Sequence, residues 1–325
     1  MQGVKEKALE LLSFGKAQRV LGWKKGEFFY DLTPGTFESV QEVEREFAYG
    51  VFAGANLSKY CIAESKKDGV TAVFLKPCDT YSFVQLLKEY KIKREKVYIV
   101  GVQCGGMCDM ERIRARGISG ATAVEEAGED LRISTIYGEE TMKKADALLL
   151  KCATCKSKKL VIFDELLGDQ GEDDAGCGRF EEVERLEALS PEERFSFWRG
   201  ELSRCIRCNA CRNVCPACTC ETCVFDNHDL GTDNKAPASD FEENFFHIIR
   251  AFHVTSRCTD CGECSRVCPQ HIPLHLLNRK LIRDTNELYG AYQAGADLET
   301  KPPLMDYRTD DCEPSVVYER GGAKG

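Results

Sequence analysis

The sequence predicts two fold classes in one chain: an α/β N-terminal domain with a mostly parallel sheet, and an α-helical C-terminal domain organised by cysteine-rich loops. Three observations predict this. Apolar runs that read as buried strands, TAVFLKP at 71–77, KVYIVGV at 96–102 and ALLL at 147–150, alternate with amphipathic segments such as YSFVQLLKEYKIKREK, the rhythm of an α/β sheet. Of nineteen cysteines, seven crowd into residues 205–223, CIRCNACRNVCPACTCETC. All five histidines lie at 228 or later, so chemistry in the first two thirds runs through cysteine or a bound cofactor.

The 325 residues suffice for about two domains, and 43% hydrophobic with 30% charged residues is ordinary for a globular protein. No run of 18 apolar residues occurs and the N-terminus MQGVKEKALELLSFGK carries no secretory signal, which predicts a cytoplasmic protein without a transmembrane segment. A chain of this size and odd cysteine count has no need of a disulfide framework, so the thiols read as reduced metal ligands. The net charge of −9 and pI near 5.3 lack the basic field that nucleic acid demands, leaving protein partners. The expected organisation is an α/β cluster-binding domain over 1–167, an acidic linker over 168–189 whose second half is helical, a dicluster domain over 190–285 and a tail over 286–325. Ser190 as N-cap, Pro191 at the first helical position and two glutamates in the first turn predict a helix that delivers the chain to Cys205.

Cys205, Cys208, Cys211 and Cys215-Pro216 have the spacing C-x2-C-x2-C-x3-C-P, and Cys258, Cys261, Cys264 and Cys268-Pro269 repeat it. In this pattern the fourth cysteine serves the other cluster. One [4Fe-4S] cluster is therefore expected on Cys205, Cys208, Cys211 and Cys268 (cluster 1), the other on Cys258, Cys261, Cys264 and Cys215 (cluster 2). Zinc needs only two C-x2-4-C knuckles per site and gives no reason for the prolines. FEENFFHIIRAFHVTSRC reads as a helix entering the second motif, and CPQHIPLHLLNRKLIRD as a helix leaving it. Residues 200–285 resemble the α-helical ferredoxin domains of heterodisulfide reductase, succinate dehydrogenase and lactate-utilisation proteins. His247, His253, His271 and His275 then read as packing groups near a cluster rather than ligands.

In the first half, Cys78 follows one apolar run in FLKPCDT, Cys104 follows the next in YIVGVQCGG, and Cys152 and Cys155 follow the third in LLLKCATCKSKK. The carboxyl ends of parallel strands are where open α/β sheets hold cofactors, and Gly105 and Gly106 let backbone amides approach sulfur. Pro77-Cys78, Gly101-Val102-Gln103-Cys104 and Cys152-Ala-Thr-Cys155 resemble, in order, the pattern of the beta-subunit family of coenzyme F420 (deazaflavin) hydrogenases and dehydrogenases over roughly 5–165. That resemblance implies a third [4Fe-4S] cluster on Cys78, Cys104, Cys152 and Cys155 (cluster 3), beside FAD. The family's glycine-rich segment near the N-terminus is missing, the stretch from Cys104 to Cys152 is short, and no G-x-G-x-x-G is present, so FAD belongs to the alternative reading.

Cys218, Cys220 and Cys223 remain unassigned. Three neighbouring thiolates repel unless a metal neutralises them, so an extra site is expected there, with Cys177 as fourth ligand and Cys61, Cys108 and Cys312 as weaker candidates. The expected protein is an iron–sulfur electron-transfer subunit, with three or four [4Fe-4S] clusters, of an anaerobic multi-subunit oxidoreductase of the hydrogenase, formate dehydrogenase or heterodisulfide reductase kind. Its partners are then catalytic and electron-accepting subunits. The alternative is a flavin-containing subunit passing hydride to a deazaflavin or nicotinamide carrier.

Overall fold

The computed structural model describes residues 2–227 and 240–305. The N-terminal lobe runs α1 (Gln2–Ser13), β1 (Arg19–Lys25), β2 (Leu32–Phe37), α2 (Val40–Glu46), α3 (Cys61–Glu64), β3 (Thr71–Leu75), α4 (Pro77–Lys88), β4 (Val97–Val102) and α5 (Met110–Ala115). It continues with β5 (Ala121–Ala127), β6 (Asp130–Thr135), β7 (Gly138–Lys143), α6 (Lys144–Ala147), α7 (Leu150–Ala153) and β8 (Glu165–Leu167). The C-terminal lobe holds α8 (Glu181–Glu187), α9 (Pro191–Ser203), α10 (Ala210–Val214), α11 (Asp240–His253), α12 (Glu263–Arg266) and α13 (Leu274–Tyr289).

The main sheet has the order β2-β1-β3-β4-β8. β1, β3, β4 and β8 are parallel and β2 is an antiparallel edge strand, so the sheet is mixed. β3, TAVFL, is buried along its whole length, as a central strand covered on both faces requires. Val4, Ala8 and Leu11 of α1, at helical spacing, join the same core as Phe83 and Leu86 of α4. The main-chain signals are met: Ser190 accepts from the Glu193 amide and Glu193 reaches back to the Ser190 amide, with Pro191 at the first turn of α9.

Two expectations are corrected. ALLL at 147–150 is no strand: it spans the junction of α6 and α7, and the fourth parallel strand is the short β8 further on. A run of four residues is apolar enough for either state, and the Leu149 amide bonds the Met107 carbonyl in a loop contact instead of a ladder. Second, β5, β6 and β7 form a separate antiparallel sheet that the apolar runs do not announce. Its buried face is only Leu131 and Ile133, packed on Val51, Cys108, Met110 and Ile113.

The acidic stretch after β8 lies against the N-terminal lobe, where Asp173 accepts from the Tyr81 hydroxyl at 2.5 Å and from the Lys158 and Lys159 amides at 3.0 and 3.1 Å. Beyond α13 the chain returns to α4: Ala294 is buried, and an added Cβ on Gly295 (φ +73°) would lie 1.9 Å from the Tyr81 carbonyl oxygen. Among the described residues no helix is long and apolar enough to cross a membrane.

Candidate metal centres

The first site grows from the carboxyl edge of the main sheet. β3 ends at Leu75 and α4 starts at Pro77, with the Asp79 carboxylate accepting from the Lys76 amide; this places Cys78 on the first helical turn. Cys104 follows β4, and the Gly106 amide, on a residue with φ +94°, donates to its Sγ at 3.4 Å, the close approach that glycine permits. α7 supplies Cys152, and Cys155 follows it. These thiols meet: Cys155 lies within electrostatic range of Cys78, Cys104 and Cys152. Burial pushes Cys78 and Cys104 above the usual thiol range and Cys155 up to about 12, so ionising them together needs a cation at the site. The buried Lys76, 3.0 Å from Asp79 and stacked over Trp23, supplies part of that field.

The two ferredoxin motifs fold alike. In CIRCNAC, Arg207 and Asn209 adopt positive φ of 53° and 60°; in CTDCGEC, the equivalent Asp260 and Gly262 adopt 61° and 65°. Three of these four residues carry a Cβ, and left-handed geometry costs each of them on the order of 1 kcal/mol or more. Alternation of this kind turns amide hydrogens into a concave nest for an anionic group. The Arg207 amide donates to Cys205 Sγ at 3.3 Å, and the Asn278 side chain to Cys264 Sγ at 3.7 Å. Cys205, Cys208, Cys211 and Cys268 line one cavity together with Phe246 and His247. Cys215 lies within range of Cys258, Cys261 and Cys264. The fourth cysteine of each motif thus stands with the three thiols of the other.

Two buried cations were not singled out from the sequence. Arg250, on α11, is 2% exposed and its Nε, Nη1 and Nη2 have no hydrogen-bond partner among the described residues. Burial opposes its charge, but the thiols of Cys264, Cys211, Cys215 and Cys218, when ionised, hold the guanidinium even more firmly protonated. Three orphaned donors in a buried arginine call for an anion. Lys151, next to Cys152, hydrogen-bonds the Gly54 carbonyl at 2.7 Å and pairs with Glu263, which lies between Cys261 and Cys264 and takes both Nε and Nη2 of Arg266 at 2.8 Å. This triad joins the loop of the first site to the second ferredoxin motif. A signal existed in KCATC and CGEC, where a charged residue interrupts cysteines, but only the fold pairs them. Gly262 closes the contact: a Cβ there would meet Lys151 Cβ at 2.3 Å. Gly262→Ala is therefore expected to destabilise the protein by more than the roughly 1 kcal/mol of left-handed strain alone, read as a lowered unfolding midpoint.

The four histidines divide. His247 is buried within 4.8 Å donor spacing of Cys205 and Glu243, and burial lowers its pKa to about 3. Its two ring nitrogens have no hydrogen-bond partner among the described residues. His275 is buried with Nδ1 2.8 Å from Ser265 Oγ, His271 is exposed 3.5 Å from Glu111, and His253 is exposed on the last turn of α11. Cys218, Cys220 and Cys223 line one cavity of about 500 Å³ with His253 and Arg250. Cys177 does not line it; it lies near Lys156. Cys61 belongs to the main core, its Sγ 3.7 Å from the Leu57 carbonyl, and Cys108 to the smaller one, while Cys312 lies outside the described residues.

The cysteine loops therefore define an iron–sulfur class of protein, and residues 201–272 match the family model of the 4Fe-4S dicluster domain. Over nearly the whole chain the sequence resembles the beta subunits of F420-dependent dehydrogenases. It is 24% identical to the F420-dependent formate dehydrogenase subunit beta of Methanocaldococcus jannaschii, over 88% of this chain and 89% of that protein. With the F420-dependent formate dehydrogenase 1 subunit beta of Methanococcus maripaludis it shares 26% identity over 90% of each. A chain of the F420-reducing [NiFe] hydrogenase complex from Methanosarcina barkeri superposes with a TM-score of 0.39 and 12% identity, covering 62% of this chain and 86% of that one, a likeness too slight to bear on function.

Proposed function

We propose that this chain is the iron–sulfur electron-transfer subunit of a multi-subunit oxidoreductase, with cluster 3 on Cys78, Cys104, Cys152 and Cys155, cluster 2 on Cys258, Cys261, Cys264 and Cys215, and cluster 1 on Cys205, Cys208, Cys211 and Cys268. The observation that carries it is the contact made by Lys151 and Glu263, which sets the N-terminal thiols beside the second motif. The order along the wire is then cluster 3, cluster 2, cluster 1. Such clusters supply one-electron transfer, and the protein sets spacing and potential through charge, burial and hydrogen bonds to sulfur. In this chain those levers are the Gly106 and Arg207 amides, Asn278, Lys76 and Arg250. Its relatives are named as subunits of F420-dependent formate dehydrogenases, which favours a formate-oxidising catalytic partner and a deazaflavin-linked acceptor.

Iron analysis and EPR after anaerobic reconstitution test this reading. The parent is expected to hold at least about twelve irons, four for each of three clusters. Cys78→Ser is expected to lose about four of them and to keep both dicluster signals; an unchanged iron count would remove the N-terminal cluster from the reading.

One observation favours the flavin alternative. A cavity of about 330 Å³ runs beside Cys104 over Gly105 and Gly106, walled by Tyr49 and Lys144, at the sheet edge where such folds bind cofactors. A flavin absorption band that survives bleaching of the clusters would establish it.

A further inference from the structure

The three cysteines that the two ferredoxin motifs leave unused occupy a site of their own. Cys218, Cys220 and Cys223 line a single cavity of about 500 Å³ between the C-terminal end of α11 and the loop after α10. Six basic side chains line that cavity against two acidic ones, Glu221 and Asp226. Part of this charge is neutralised, since Arg212 pairs with Asp226 at 2.7 Å and Arg257 with Glu89 at 2.6 Å. Some of these cations stand near the cysteines, Arg257 among them near Cys218 and Cys220. The Arg212 guanidinium also lies near Cys223. Lys59 reaches across from the N-terminal lobe to the Cys218 carbonyl at 2.9 Å. Arg250, buried behind the thiols, also lines the cavity and lies within range of Cys218.

A cavity that combines three thiols with six basic side chains, of which Arg250 is buried, fits an anionic group that binds thiolate. Neutral thiols gain nothing from such a field, which stabilises the thiolate form. A mononuclear zinc ion fits less well: no three of Cys218, Cys220, Cys223 and His253 bring their donor atoms within 4.8 Å of one another, as Cys205, Glu243 and His247 do. The cysteines of the two ferredoxin motifs are likewise more widely spaced than that trio, as a multi-iron cluster requires.

We propose that Cys218, Cys220 and Cys223 are the thiolate ligands of a further iron–sulfur cluster in this cavity, with His253 as the fourth donor. His253 replaces Cys177 in this role because it lines the cavity and Cys177 does not. The site abuts cluster 2, since the Cys218 amide bonds the Cys215 carbonyl at 3.1 Å and Cys218 packs with Cys215 and Cys258. Cys220 is exposed, so the further cluster lies at the surface end of the buried array. The proposal uses none of the N-terminal cysteines and stands whether or not cluster 3 is present.

The test compares iron, zinc and EPR of the anaerobically reconstituted full chain in the parent, Cys220→Ala, Cys177→Ala and Cys78→Ser. The parent is expected to contain about sixteen irons, Cys220→Ala about four fewer with both dicluster signals intact, and Cys177→Ala the full complement. Cys78→Ser reports cluster 3 separately, so its failure and the failure of this site read differently. His253→Ala is expected to shift the EPR g values of the further cluster alone; unshifted values overturn His253 as ligand. Parent-level iron in Cys220→Ala overturns the site, and loss of one zinc instead of four irons overturns its identity. Should Cys220→Ala fail to fold, the parent decides: about sixteen irons support the site, and about twelve with Cys78→Ser still losing four overturn it.

Discussion

Glu263→Ala is expected to be the most destabilising single change at the junction of the two lobes, costing roughly 3–5 kcal/mol, the range for removing one partner of a buried ion pair. The carboxylate is 1% exposed. Burial works against its charge, and Lys151 and Arg266 overcome that, holding its pKa well below the usual carboxylate range. Without it, Lys151 keeps the Gly54 carbonyl as its one remaining hydrogen-bond partner among the described residues, and Arg266 loses both of its hydrogen bonds to the carboxylate. Lys151→Met is expected to cost less, because Glu263 retains Arg266 in a two-pronged contact that geometry makes strong. Anaerobic denaturant unfolding of both variants measures the difference. Equal losses would mean that Arg266 contributes nothing to holding the carboxylate.

Arg250→Leu is expected to lower the reduction potentials of clusters 1 and 2 together. Its guanidinium lies among Cys211 of one set, Cys264 and Cys215 of the other, and Cys218. A positive charge favours the reduced, more negative cluster. At an effective dielectric constant of about 20, a unit charge roughly 7 Å away is worth about 2.4 kcal/mol, equivalent to ~100 mV for one electron. EPR-monitored redox titration reads the shift. Arg250→Lys is expected to restore part of it, since an ammonium keeps the charge but loses the planar set of donors. A fall in one potential only would assign the guanidinium to a single cluster, and unchanged potentials would deny it any electrostatic role.

What was legible in the sequence follows from short-range rules. The C-x2-C-x2-C-x3-C-P spacing specifies loops whose thiols project inward. The structure gives both loops the same left-handed residues, at Arg207 and Asn209 and again at Asp260 and Gly262. Ser190, Pro191 and Glu193 determined the start of α9 by local capping chemistry, and β3 was recognisable because Ala72 to Leu75 form an unbroken apolar run, as a strand buried on both faces requires. ALLL was misread because four apolar residues carry no period. The small antiparallel sheet was missed because its buried face amounts to two side chains on one strand, Leu131 and Ile133.

By itself the sequence determined the two ferredoxin loops, the order of helices around them, and the presence of thiols at two ends of parallel strands. Only the tertiary structure decided which lobe element meets which loop: that Lys151 finds Glu263 across 112 positions of chain, that Arg250 is enclosed by cysteines from both motifs, and that Cys177 is not in the cavity of Cys218, Cys220 and Cys223. Spacing along a chain constrains groups a few residues apart, because the backbone between them is short. The meeting of distant charges and thiols depends on how whole helices and sheets pack, and the energy of a buried charge is fixed only when its partners are in place.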